Sequence, residues 1–223
     1  MITKEQMAKL IDHTLLKPTA TLDDIERLCE EAKKYGFYLV CVSPCYVSYA
    51  AKKLSGSDVK VGTTVGFPHG TASPEVKAFE AKKAVEAGAS EVDMVINLGY
   101  LKSGDYYAVK EDIEGVVKAA KEANQEAIVK VIIETCYLTE NEKVTAVKLC
   151  MDAKADFVKT STGLGPGGAT VEDVRLISKL VGGEMGVKAS GGIRDLKTAL
   201  QMLKAGATRI GTSSGVAIME EFK

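Results

Sequence analysis

The chain has 223 residues, 46% hydrophobic and 26% charged, with 21 glycines and 5 prolines, the composition of a packed globular protein. Lys+Arg 29 against Asp+Glu 30 gives a formal net charge of −1, which excludes a nucleic acid or an anionic membrane surface as an expected partner. Cys29, Cys41, Cys45, Cys136 and Cys150 form an odd, scattered set, and a reducing compartment follows.

The N-terminal run Met1 to Gln6 is polar and lacks the apolar core of a signal peptide. No apolar run approaches the ~18 residues of a membrane span. A cytoplasmic protein is expected. A short helix then precedes a first strand near Asp12 to Leu16, and the first long helix follows it. Apolar, β-branched runs predict strands at Tyr38 to Val42, Val59 to Val65, Glu91 to Ile96 and Ile128 to Ile133. Three more are predicted at Asp156 to Lys159, Met185 to Ala189 and Arg209 to Thr212.

Between these runs, Ser73-Pro74 opens a helix because proline fits the first helical position. Ile113, Val116, Val117 and Ala120 fall on one helical face, as do Leu196, Ala199, Leu200 and Leu203. Thr170-Val171-Glu172-Asp173 has the form of a capping box. Ala87-Gly88-Ala89 and Ala205-Gly206-Ala207 each join a helix end to a strand. Ala153-Lys154-Ala155 stands in the same place with lysine for glycine. The repeating unit is a β/α module, and eight of roughly 28 residues make a (β/α)8 TIM barrel, a single catalytic domain over 1–223. An open Rossmann or flavodoxin-like sheet is the rival, but no Gly-x-Gly-x-x-Gly follows the first strand.

In such a barrel, chemistry collects where strands meet the following loops. Asp93, Lys159 and Lys188 interrupt otherwise apolar strands, and Lys130 shares a face with Ile128 and Ile132. Taken singly, each lysine is as well explained by a strand end reaching solvent, and Lys130 by an ion pair with Asp93 or Glu134. Together they can share one polar centre, because isolated buried charges are expensive. Carbonyl chemistry explains the set. At an ordinary lysine pKa only about one amine in 2,500 is neutral at pH 7, and a drop of ~3 units frees about half at ~4 kcal/mol. Lys159 then reads as nucleophile, Lys188 as the cation that lowers its pKa and Asp93 as acid/base.

Two glycine-rich turns, Ser190-Gly191-Gly192-Ile193-Arg194-Asp195 and Gly211-Thr212-Ser213-Ser214-Gly215, follow the last two strands. Backbone N–H groups there suit a phosphate, and Gly163 extends the cradle. One glycine pair in a turn is usually structural; two in consecutive modules argue for a ligand.

Phe157-Val158-Lys159-Thr160-Ser161-Thr162-Gly163 resembles the Schiff-base lysine motif of the deoxyribose-phosphate aldolases. Val187-Lys188-Ala189-Ser190-Gly191-Gly192-Ile193-Arg194 and Glu91-Val92-Asp93-Met94-Val95 are similar to that family's second-lysine and acidic-strand motifs. Ile11 to Leu16, Val65 to Gly70 and Val129 to Thr135 match in the same order, so the resemblance runs from about Ile11 to Gly215. It implies an imine on Lys159, tuned by Lys188, with Asp93 relaying protons. Gly163, Gly191, Gly192, Gly211, Ser213 and Ser214 would hold a 5-phosphate, with Arg194 and Lys130 in the same binding set. Asp12, Thr14, Cys41 and Thr162 would line the substrate channel, although a core role suits Cys41 equally.

The implied reaction is reversible cleavage of 2-deoxy-D-ribose 5-phosphate to D-glyceraldehyde 3-phosphate and acetaldehyde, with no metal or organic cofactor. A transaldolase or another imine-forming phosphosugar aldolase is the alternative. A homodimer or higher homo-oligomer is expected from the family. Longer relatives end in a tail tipped by tyrosine, whereas this chain ends Glu220-Glu221-Phe222-Lys223, so a water held by Asp93 and Lys188 is the expected proton donor to the enamine.

Overall fold

Strands whose alternate residues are apolar and charged need a sheet with two unlike faces. A closed barrel provides them, one face against helices and the other turned inward. The computed structural model describes residues 2–222, so Met1 and Lys223, the ends of the expected domain, lie outside the described residues. In chain order the first half contains α1 (Lys4–Ala8), β1 (Ile11–Leu15), α2 (Leu22–Tyr35), β2 (Leu39–Val42), α3 (Val47–Leu54), β3 (Lys60–Val65) and α4 (Pro74–Glu86). There follow β4 (Glu91–Val95), α5 (Leu98–Lys102), α6 (Tyr106–Ala123), β5 (Ile128–Ile132) and α7 (Glu140–Asp152). The chain continues through β6 (Phe157–Lys159), α8 (Val171–Val181), β7 (Gly186–Ser190), α9 (Leu196–Ala205), β8 (Arg209–Thr212) and α10 (Gly215–Glu220).

The eight strands are parallel and close in sequence order, β8 pairing back to β1. This is the expected (β/α)8 barrel, with α1 as the short additional helix. Outward-facing Val40, Val61, Val92, Val129, Val131, Val158 and Ile210 pack with the helices into the apolar core. The inward face is the unusual one: Asp12, Glu91, Asp93, Lys130, Lys159, Lys188 and Arg209 are all buried.

Helix starts follow from local chemistry. Thr3, Thr21 and Thr139 each make a reciprocal capping box at α1, α2 and α7, a device worth about 1 kcal/mol apiece. Pro74 opens α4 as expected. Thr170 does cap α8 by accepting from the Asp173 N–H. The return bond that would complete the box is replaced, because the Asp173 carboxylate pairs with Lys143 at 2.5 Å. At the third helix-to-strand turn, Lys154 adopts φ 60, the left-handed conformation of the glycine it replaces. On α9, Ala199 and Met202 are buried while Leu200 is 38% exposed, so the inward face is rotated from the one the leucine spacing predicts.

Candidate active site

Lys159 ends β6, in register with Ile132 on one side and Lys188 on the other. Its Nζ donates to Asp93 Oδ2 at 2.8 Å. Lys188 Nζ donates to that same oxygen at 2.7 Å and lies 2.5 Å from Asp12 Oδ2. Lys130 Nζ donates to Asp93 Oδ1 at 2.7 Å and lies 2.5 Å from Glu91 Oε2. The three residues singled out in the sequence therefore converge on one carboxylate. Lys130 joins them through Asp93 and not through Glu134.

The two lysines on this oxygen are driven in opposite directions. Burial pushes the Lys159 amine down, the Lys188 ammonium adds to that, and the opposing pull of Asp93 does not restore the ordinary value. Burial also works against a charged Lys188, but Asp12 and Asp93 outweigh it and hold its pKa up. For Lys130, burial is outweighed in the same way by Asp93, Glu91 and Asp12. Burial would raise the Asp93 carboxyl, yet Lys130, Lys159 and Lys188 hold it well below the usual range. Asp12 is held below its usual value against burial by Lys188, Lys130 and Arg209.

Above this cluster opens a cavity of about 300 Å³ whose wall includes Thr14, Lys159, Thr162, Gly163 and the run Ser190 to Arg194. Gly211 and Ser213 complete the side nearest β8. Gly163, Gly191 and Gly192 have φ of 85, 88 and 79, left-handed conformations that favour glycine. Gly211 has a second reason to be glycine, since a Cβ there would stand 2.8 Å from Lys188 Cε. A neighbouring cavity of about 400 Å³, lined by His13, Arg27 and Glu31 among others, shares Thr14 and Ser213 with the first but includes neither Lys159 nor any glycine of the turns.

The remaining expected site residues are placed differently. Asp12 and Lys130 are fully buried in the ionic cluster. Cys41 is buried on β2 beside Thr14 in register, and burial with Asp93 pushes its thiol pKa up. The Ser214 N–H is committed to Thr212 Oγ1 at 2.9 Å. The Thr162 N–H is likewise committed, donating to Glu134 Oε1 at 3.1 Å.

Several participants were missed in the sequence. Glu91 and Arg209 belong to the ionic cluster, Lys17 and Phe67 line the cavity, and Glu134 anchors the loop after β6. The signal for Glu91 was present, because period-two alternation puts it on the face of Asp93. Arg209 opens a strand as plainly as Lys188 interrupts one. Lys17 and Phe67 sit in loops, where no periodicity marks them.

An amine beside a shared carboxylate, at the floor of a cavity over the strand ends, defines an enzyme of the barrel class. The family model for DeoC/LacD family aldolases matches residues 6–221. A deoxyribose-phosphate aldolase of Carboxydothermus hydrogenoformans is 59% identical over 99% of this chain and 96% of its own length. One from Thermococcus gammatolerans is 63% identical over 96% of this chain and 95% of its own. Among solved structures, the tetrameric deoxyribose phosphate aldolase of Aeropyrum pernix superimposes with TM-score 0.92 at 40% identity, covering 99% of this chain and 92% of that one. The chain belongs to the DeoC/LacD aldolase family and is a lyase.

Proposed function

We propose that this aldolase reversibly cleaves 2-deoxy-D-ribose 5-phosphate into D-glyceraldehyde 3-phosphate and acetaldehyde through an imine on Lys159. The observation that carries the reading is the pairing of Lys159 and Lys188 on one oxygen of Asp93, 2.8 and 2.7 Å away, with Lys159 opening to the cavity. Neutral Lys159 adds to the C1 aldehyde of the open-chain sugar, and loss of water gives a protonated imine. The C2–C3 bond then breaks, its electrons moving toward the imine nitrogen as the C3 hydroxyl gives up its proton. Glyceraldehyde 3-phosphate leaves. The enamine is protonated at C2, and hydrolysis returns acetaldehyde and the free amine.

Asp93, held ionised by the ammonium groups of Lys130 and Lys188, is a weak base by itself. In this mechanism the proton passes through a water ordered by Asp93 and Lys188 together, which also serves to protonate the enamine. The glycine turns at Gly163, Gly191, Gly192 and Gly211, with Ser213, hold the phosphate, and Lys17 and Arg194 supply positive charge at the same wall. Thr14 and Thr162 face the sugar, and Asp12 and Lys130 act from within the cluster.

The chain acts as a homodimer or larger homo-oligomer in this proposal. Val76 and Phe79 on α4, 55% and 63% exposed, and Tyr107 on α6 supply apolar surface for it. Among the described residues no helix is long and apolar enough to cross a membrane. A reducing cytoplasmic setting fits the exposed free thiol of Cys45. The test is direct: purified protein with 2-deoxyribose 5-phosphate should release acetaldehyde, and ketose phosphates should be poor substrates. Turnover of a ketose donor in preference to the deoxy sugar would overturn the assignment.

A further inference from the structure

The ionic cluster extends from Lys159 to the opposite end of the barrel interior. Arg209 opens β8 as the register partner of Lys188. Its Nη1 donates to Asp12 Oδ1 at 2.9 Å and to Glu91 Oε2 at 3.1 Å. Its guanidinium carbon lies 3.8 Å from the Tyr38 ring centroid and 5.3 Å from that of Phe157. Gly186 makes the room for Phe157, since a Cβ there would fall 2.1 Å from the ring. Two carboxylates and two rings thus fix Arg209 in one place, and a guanidinium keeps its proton at any working pH.

The cluster holds three carboxylates, Asp12, Glu91 and Asp93, against four bases, Arg209, Lys130, Lys188 and Lys159. A buried, low-dielectric cluster is most stable without net charge, so one base goes without a proton. Arg209 cannot be that base. Lys130 is held by Glu91 and Asp93, and Lys188 by Asp12 and Asp93. Lys159 contacts Asp93 alone among these carboxylates. Its other charged or titratable neighbours are Lys188 from β7 and Cys41 from β2.

We propose that Arg209 is a positioning residue for the imine chemistry: its permanent charge on Asp12 and Glu91 leaves Lys159 as the base without a proton. Arg209 touches neither the cavity nor the amine and acts through the charge balance of the interior. The inference rests on Lys159 being the nucleophile.

The experiment measures kcat/KM for 2-deoxyribose 5-phosphate across pH, together with borohydride trapping of the imine, for the wild type, Arg209→Met, Glu91→Gln and the double variant. Arg209→Met leaves three carboxylates facing three lysines, so Lys159 gains a proton. Its acidic limb should rise by about one pH unit or more, with about tenfold loss at pH 7 that is regained at high pH. Glu91→Gln should move the limb the other way, and the double variant should return it to the wild-type position. A loss in Arg209→Met that is equal at every pH, or a Glu91→Gln limb that stays or rises, overturns the inference. Should Arg209→Met not fold, the near-isosteric Glu91→Gln still decides by the direction of its limb. A normal wild-type adduct on Lys159 with unshifted limbs sinks this inference alone; absence of that adduct sinks the imine reading and this inference with it.

Discussion

Lys159 and Lys188, register partners on β6 and β7, both donate to Oδ2 of Asp93, at 2.8 and 2.7 Å. Two ammonium groups cannot rest cheaply on one buried carboxylate oxygen, and the surroundings decide which of them yields. Lys188 has Asp12 as a second partner at 2.5 Å, whereas Lys159 faces the cavity.

Replacing Lys188 with Met removes a cation that lowers the Lys159 pKa. Lys159 should hold its proton more firmly, and turnover at pH 7 should fall by about 100-fold or more, with partial recovery near pH 9. The pH profile of kcat/KM checks this. A uniform loss at all pH values would assign Lys188 another role.

Asp93→Asn leaves Lys130 with Glu91 and Lys188 with Asp12, but it removes the carboxylate the lysines share, so positive charge in the barrel goes uncompensated. Breaking a buried pair in this way costs about 3–5 kcal/mol, measurable as a lower urea midpoint at pH 7. The lysines left behind acquire folded pKa values below their unfolded ones. The unfolded chain then binds more protons, and the variant's stability should rise between pH 7 and 9. A variant whose midpoint fell over that range would contradict the burial of unpaired charge.

The wild type should also gain stability with rising pH, but in the acid range. Asp93 and Asp12 have folded pKa values below their unfolded ones, so their stabilisation is complete above the unfolded value near ~3.9. It is lost as pH falls through the folded values. Urea midpoints measured from pH 6 downward should hold until about pH 5 and then decline. The decline should be weaker in Asp93→Asn.

In the proposed reaction the glycine turns serve binding and Lys159 serves chemistry, and a substitution can separate the two. A Cβ at Gly191 would lie 3.0 Å from Gly168 Cα, at φ +88, a strain of about 1–3 kcal/mol. Gly191→Ala should raise KM for 2-deoxyribose 5-phosphate about tenfold while changing activity on unphosphorylated deoxyribose little. Equal losses on both substrates would show that the turn does not hold the phosphate.

The sequence reveals the barrel because its modules repeat, down to Lys154 taking a glycine's φ of 60. It reveals Asp93, Lys159 and Lys188 because a charge inside an apolar strand is conspicuous. Glu91 and Arg209 obey the same rule but stand at strand starts, where a charge looks like a solvated end. The partner of Lys130 could not be chosen between Asp93 and Glu134 by spacing. Glu134 takes φ 49 and turns its carboxylate to Thr162, a backbone event that side-chain periodicity does not encode. Lys77, buried on α4 with Asp112 at 2.5 Å and donating to the Val95 carbonyl at 3.0 Å, shows that a buried lysine can also be purely architectural.

The most direct measurement is borohydride reduction in the presence of 2-deoxyribose 5-phosphate or acetaldehyde, followed by peptide mass mapping. The account predicts one stable adduct, on the peptide carrying Lys159, formed at neutral pH and absent from Lys159→Met. An adduct on Lys188 or Lys130 instead, or none with protein that is turning substrate over, would contradict it.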